Sequence, residues 1–267
     1  MIMRAALEEI VENVHIVEVR SGHDLISLLD SEGEDQQPKL ILMDMNMPRM
    51  SGLEALFLVR SRLERKHIPI IMISTSSNQQ QISSAYQQGI NAYVTKPVSI
   101  AEYTLIAEAI NVCFLNNAPS LDEVKNYVRN FSNKSILVIE DNQDHWELMR
   151  LTLKQSMPEA NLLHMKDIQS TLNFLKSDWQ TAMAPLRMIL LDLYLPTREH
   201  GLILLDHLRE FLNDRHLSSV PIIVFSGSDY YDDIKTCYRH QANIYIVKPT
   251  NMKKTTAYYQ NINLLHW

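Results

Sequence analysis

The sequence predicts an α/β protein built twice over, with two parallel sheets each covered by helices on both faces. Three observations predict it. Short apolar runs alternate with longer stretches of helical periodicity from end to end, the pattern that parallel strands joined by crossover helices produce. The two halves of the 267-residue chain can be laid on one another. In each half, polar residues follow directly on the apolar runs, and in a parallel sheet such residues share one edge.

In the first half, Val14–Val19 reads as a strand, His23–Leu29 as a helix and Lys39–Met43 as a strand. Leu53–Leu63 is helical again and Ile68–Ile73 is another strand. The second half repeats the order with strands at Ser135–Ile139, Asn161–Met165, Leu186–Leu191 and Val220–Phe225, and helices at Asp144–Gln155 and Leu202–Leu212. Ile2-Met3-Arg4 falls on Leu148-Met149-Arg150 and Leu29 on Leu175, a common offset of 146 (148 − 2 and 175 − 29). A period of domain length signals duplication, because solenoid repeats are far shorter. Between the halves, Asn116-Asn117-Ala118-Pro119-Ser120 is a breaker cluster. Ser120-x-x-Glu123 then forms a capping box opening a short helix with Leu121, Val124, Val128 and Phe131 on one face. That helix either packs on one neighbour or carries a contact between domains or copies. The expected organisation is residues 1–115, a linker over 116–134, and residues 135–267.

Hydrophobic residues make up 46% of the chain, enough to fill two cores. With 25 basic and 31 acidic residues, a net charge of −6 and no dense Lys/Arg run, the chain is not expected to bind nucleic acid directly. Cys113 and Cys237 lie far apart in apolar or helical stretches and read as buried free thiols. No apolar run reaches membrane-spanning length and Met1–Asn13 is amphipathic and acidic, so the expectation is a soluble cytoplasmic protein.

The chemistry gathers at the strand ends of the second half. Ile136–Ile139 runs into Glu140-Asp141, Ile189–Leu191 into Asp192, Val220–Phe225 into Ser226-Gly227, and Tyr245–Val247 into Lys248-Pro249. Clustered carboxylates are costly unless a hard cation neutralises them, and Mg²⁺ prefers oxygen ligands. A carboxylate can itself attack phosphorus to give an acyl phosphate. An ammonium, a hydroxyl and a cation would stabilise the charge spread over the transferred group. In the first half Asp44 heads the loop Met45-Asn46-Met47-Pro48-Arg49-Met50-Ser51-Gly52, Ser74 ends an apolar run, and Tyr93-Val94-Thr95 leads to Lys96-Pro97. Ser74 to Lys96 and Ser226 to Lys248 both span 22 residues (96 − 74 and 248 − 226).

This ordered set resembles the receiver domains of bacterial two-component response regulators, over nearly all of both halves. The resemblance implies flavodoxin-like, doubly wound, five-stranded parallel sheets of strand order 2-1-3-4-5. It also implies Asp192 as phospho-acceptor and Mg²⁺ held by Glu140, Asp141, Asp192 and the backbone carbonyl of Tyr194. Ser226 and Lys248 would contact the phosphoryl oxygens, Tyr245 would be the aromatic that changes rotamer, and the peptide before Pro249 would be cis. In the first half Asp44, Lys96, Ser74, Tyr93 and the Asn46 carbonyl take the corresponding places. The acid pair and the first strand that carries it have no counterpart there, because at the offset of 146 both would precede Met1. Either the natural chain begins upstream, or this half is degenerate, or a partner strand fills the gap.

The implied activity is acceptance of a phosphoryl group from a histidine kinase or phosphotransfer protein, a signalling event and not enzymatic turnover. After Lys248-Pro249 there is room for one helix, so output is expected through protein contacts; a homodimer is left open. The alternative is a pair of non-phosphorylated pseudo-receivers acting as a scaffold. A dehalogenase-like phosphohydrolase also uses a nucleophilic Asp, but needs a second Asp two residues on, where this chain has Tyr194 and Asn46. Taken singly, Asp44 and Asp192 would read as helix caps. The histidines, including His145 and His200, read as surface or satisfied core groups.

Overall fold

In the computed structural model, residues 2–33, 36–115, 131–177, 184–249 and 252–265 are described. The linker capping box at Ser120 and the linker helix residues Leu121, Val124 and Val128 lie outside them.

The first half contains α1 (Ile2–Ile10), α2 (Gly22–Ser31), β1 (Ile41–Asp44), α3 (Gly52–Arg60), β2 (Ile70–Ser74), α4 (Gln79–Gln87), β3 (Ala92–Thr95) and α5 (Ile100–Phe114). Its sheet is parallel, in the order β1-β2-β3. The second half contains β4 (Ser135–Ile139), α6 (Gln143–Ser156), β5 (Asn161–Met165), α7 (Ile168–Lys176), β6 (Leu186–Asp192), α8 (Arg198–Asp214), β7 (Ile222–Ser226), α9 (Tyr231–Arg239), β8 (Ile244–Val247) and α10 (Met252–Leu264). Its five parallel strands run β5-β4-β6-β7-β8, the doubly wound order 2-1-3-4-5.

Both sheets follow from composition. Every residue of β2, β4 and β7 is buried, as expected of central strands covered on both faces. Burying each Val, Leu or Ile there stabilises the fold by about 1.5–3 kcal/mol. Helices start where the sequence supplies caps. The Ser51 hydroxyl accepts from the Glu54 amide while the Glu54 carboxylate accepts from the Ser51 amide, and Asn142 and Asp167 cap α6 and α7.

The strand expected at Val14–Val19 is not formed; that segment has no regular secondary structure. Its counterpart β5 is a strand because β4 pairs with it over five residues, Ser135 with Asn161 through Ile139 with Met165. No such ladder reaches residues 14–19 among the described residues, and alternation alone does not hold an unpaired strand. Val14 and Ile16 instead pack as partly buried side chains on the core.

One apolar cluster runs through both halves, joining Ile71, Val94, Ile110 and Cys113 to Ile136, Leu190, Phe225 and Tyr259. Cys113 and Cys237 are both buried and free, as expected. At the junction two asparagines form a reciprocal clasp. Asn91 Nδ2 donates to the carbonyls of Ala242 (3.1 Å) and Asn243 (3.2 Å), and Asn243 Nδ2 donates to the Asn91 carbonyl (3.1 Å). Each side-chain oxygen accepts from the first amide of its neighbouring strand, Ile70 or Ile222, and from an arginine, the half-buried Arg60 or the buried Arg209.

Candidate functional site

The strand register of the second half brings the predicted groups to one edge. Ile139 lies opposite Leu191, Asp192 opposite Phe225, and Ser226 opposite Val247, so Glu140, Asp192, Ser226 and Lys248 cluster at the carboxyl ends of four adjacent strands. The Lys248 backbone amide donates to the Ser226 carbonyl at 2.7 Å, which sends the side chain back across the edge. Its ammonium donates to Asp192 Oδ2 at 2.9 Å and Glu140 Oε2 at 2.8 Å. Glu140 is 1% exposed and Asp192 9%, whereas Lys248 is 17% exposed.

Two buried carboxylates thus face one ammonium. Burial pushes the Glu140 carboxyl up, Lys248 opposes this, and the Asp192 charge adds to the rise. That excess of negative charge suits a divalent cation, so the donor set fits the group the sequence implies. Asp141 stands apart: it is exposed, and the ligating atoms that lie within 4.8 Å of one another belong to Glu140, Asp192 and His145. His145 was not singled out as a ligand in the sequence. It is the third residue of α6, where its amide is held by Asn142 Oδ1 at 3.0 Å, and its Nδ1 comes within 3.2 Å of both Glu140 Oε1 and Lys248 Nζ. The signal was the cap, which seats the first turn of α6 over the end of β4.

Neither Asp44 nor Asp192 caps a helix; Ser51 and Thr197 occupy those positions. Each instead accepts from the amide two residues on, Asn46 N to Asp44 at 3.0 Å and Tyr194 N to Asp192 at 3.3 Å. Asp44 pairs with Lys96 Nζ at 2.5 Å, both side chains 35% exposed. Ser74 and Ser226 are fully buried, their hydroxyls accepting from the amides of Ser76 (3.1 Å) and Ser228 (3.2 Å). Tyr93 and Tyr245 are buried, and their hydroxyls donate to the carbonyls of Ser76 (2.6 Å) and Ser228 (2.8 Å). The cis peptide among the described residues is Leu195–Pro196, in the loop after β6; the expectation of one before Pro249 is corrected. His200 turns toward Thr197 Oγ1 at 2.9 Å.

A second group missed in the sequence is Asp233, on α9. It accepts from Tyr194 Oη (3.0 Å), Ser228 Oγ (2.5 Å) and the Arg198 guanidinium, so one carboxylate ties the loop after β6 to the loop after β7. Its partners lie up to 39 residues away, beyond any local pattern.

The model of the response regulator receiver domain family matches residues 1–108 and 136–260. The chain belongs to this family, and carries two receiver regions in tandem. Among curated receivers it is 27% identical over 103 residues to the response regulator Rcp1 of Synechocystis sp., covering 38% of this chain and 70% of that protein. It is 35% identical over 82 residues to the chemotaxis protein CheY1 of Helicobacter pylori, covering 31% of this chain and 64% of that one. Among solved structures, the phosphorylated cyanobacterial phytochrome response regulator RcpA aligns with 32% identity and a TM-score of 0.40, over 43% of this chain and 84% of that one. The Mn²⁺-bound form of Rcp1 aligns with 25% identity and a TM-score of 0.36, over 41% and 84%. No helix among the described residues is long and apolar enough to cross a membrane.

Proposed function

We propose that this chain is a two-component signalling protein that accepts a phosphoryl group on Asp192, with Asp44 as a second acceptor. The domains are bounded at 1–115 and 135–267 around a linker at 116–134, the protein is cytoplasmic, and the donor is a histidine kinase or phosphotransfer protein. The observation that carries this reading is the Lys248 ammonium held between Asp192 and Glu140 at the carboxyl edge of the second sheet.

An Asp192 carboxylate oxygen would attack the phosphorus of a phosphohistidine. An O–P bond forms, the P–N bond breaks, and its electron pair leaves on the imidazole nitrogen, which takes up a proton. Lys248 is placed to hold Asp192 and then to neutralise a phosphoryl oxygen. Mg²⁺, bound by Glu140, Asp141, Asp192 and the Tyr194 carbonyl, would offset the remaining charge on the transferred group. In the first half, Asp44 and the Asn46 carbonyl would serve the corresponding cation. Ser226 and Ser74 reach a phosphoryl oxygen only if their loops close over it. Because Tyr245 and Tyr93 are bonded to those loops at Ser228 and Ser76, closure would also move the aromatic rings. The protein is then a switch read by partner proteins and not a turnover enzyme.

The test is Mg²⁺-dependent phosphorylation by a small phosphodonor, read by intact mass on the wild type, Asp192→Asn and Asp44→Asn. A gain of one phosphoryl group lost in Asp192→Asn is expected; no gain in any form would sink the reading. A scaffold role independent of phosphorylation suits the first half on one specific ground. There, no carboxylate among the described residues joins Asp44 and Lys96 as Glu140 joins Asp192 and Lys248.

A further inference from the structure

The Lys248 ammonium donates to Glu140 Oε2 at 2.8 Å and Asp192 Oδ2 at 2.9 Å, and His145 Nδ1 lies 3.2 Å from both that ammonium and Glu140 Oε1. The candidate ligating atoms of Glu140, His145 and Asp192 all lie within 4.8 Å of one another. Two of these donors are carboxylates; the third is an imidazole, half-exposed at 51% on the solvent side of the site.

The imidazole is also well anchored. Asn142 pins the His145 backbone as the third residue of α6. The next residue, Trp146, is buried and stacks on His164 with ring centroids 4.2 Å apart and planes 8° from parallel. His164 Nε2 lies 2.8 Å from the Glu140 carbonyl, which only accepts, so that nitrogen carries the hydrogen and the ring is tied to the strand end that bears Glu140. The Asn142 cap and this stacked pair hold the first turn of α6 against the end of β4, with His145 facing Glu140.

We propose that His145 is a further ligand of the divalent-cation site, a nitrogen donor beside the carboxylates of Glu140 and Asp192, and that it makes this receiver prefer first-row transition metals to Mg²⁺. Mg²⁺ is hard, takes oxygen donors and gives up its water reluctantly. Imidazole favours softer ions, with affinity rising from Mn²⁺ through Co²⁺ to Ni²⁺. The inference rests on the proposed acceptor site, since it concerns the cation that serves it.

The test is calorimetric titration of the full chain with Mg²⁺, Mn²⁺ and Ni²⁺, on the wild type, His145→Ala and Asp192→Asn, with nitrogen couplings read by pulsed EPR on the Mn²⁺ form. Circular dichroism verifies that each variant folds. Expected are an Asp192-dependent site in the order Ni²⁺ > Mn²⁺ > Mg²⁺ and a nitrogen coupling that disappears in His145→Ala. That variant should also lose at least the roughly 10- to 100-fold in Ni²⁺ affinity typical of disturbing even an outer partner of a metal ligand, with a far smaller change for Mg²⁺. If His145→Ala keeps the wild-type selectivity, or the Mn²⁺ form shows no histidine nitrogen, the inference is overturned while the acceptor reading stands. If no cation binds in an Asp192-dependent way, both fall.

Discussion

Asp233 shows how one side chain holds two functional loops. Burial alone would raise its carboxyl, but hydrogen bonds from Ser228, Arg198 and Tyr194, with the Arg198 charge, outweigh that and hold it below the usual carboxylate range. A carboxyl with a depressed folded value stabilises the fold above its unfolded value, and that contribution disappears as pH falls through the folded value. Replacing Asp233 by Asn should therefore cost about 1.5–3 kcal/mol at neutral pH, the range for hydrogen bonds to a charged group. The gap to wild type should close in acid, where wild type loses the same charge. Urea unfolding followed at several pH values measures it, and a gap that stays constant down to strongly acid pH would contradict the assignment. The first half has no such carboxylate at the corresponding contact, where Ser76 Oγ donates to the neutral Gln81 Oε1 at 2.8 Å.

At the scale of elements, the helix after Asp44 and the helix after Asp192 each begin hard against the strand they follow. A Cβ on Gly52, the first residue of α3, would stand 2.5 Å from the Asp44 carbonyl oxygen; one on Gly201 would stand 1.9 Å from that of Leu193. The acceptor loop of the second half is one residue longer. There the helix starts at Arg198, so the glycine lies inside α8 and not at its start. Gly201→Ala should therefore displace the loop that carries Tyr194. The expected cost is at least the roughly 1–3 kcal/mol of overpacking, because the obstacle is backbone and cannot rotate away. Chemical denaturation reads the stability loss, and the phosphodonor assay should show slower acceptance on Asp192. An unchanged unfolding midpoint would mean that α8 shifts freely and that the close approach does not matter.

Across the whole molecule, the continuous apolar cluster and the Asn91–Asn243 clasp make the two receivers one packed body at their junction. Asn91→Ala would strip acceptors from the Ile70 amide and Arg60, and donors from the carbonyls of Ala242 and Asn243. Leaving such buried groups unpaired costs about 1–3 kcal/mol each before any relaxation. A lower midpoint in denaturant is expected, with intrinsic probes in both halves shifting together. Independent transitions, with only the first half affected, would show that the receivers do not share stability. Because α5 and α10 face one another across this junction, a change at one acceptor site has a physical route to the other half.

The duplication, nearly all the strands and the gathering of Asp192, Ser226 and Lys248 at one edge were legible in sequence, because each is a local pattern: an apolar run followed by a polar residue. Parallel pairing then turns equal positions on successive strands into neighbours, which is why spacing alone anticipated one edge of one sheet. Three features were not legible, for a common reason. Val14–Val19 has the alternation of a strand, yet pairing depends on a neighbour supplied from elsewhere in the fold. His145 reads as an ordinary helix histidine until Lys248, 103 residues away, is seen at its Nδ1. Asn91 and Asn243 look like turn residues, yet they meet only because two receivers pack face to face. The sequence by itself determined which groups sit at the strand ends; only the tertiary structure decided which distant groups meet them, because those contacts are set by packing between elements and leave no periodic trace along the chain.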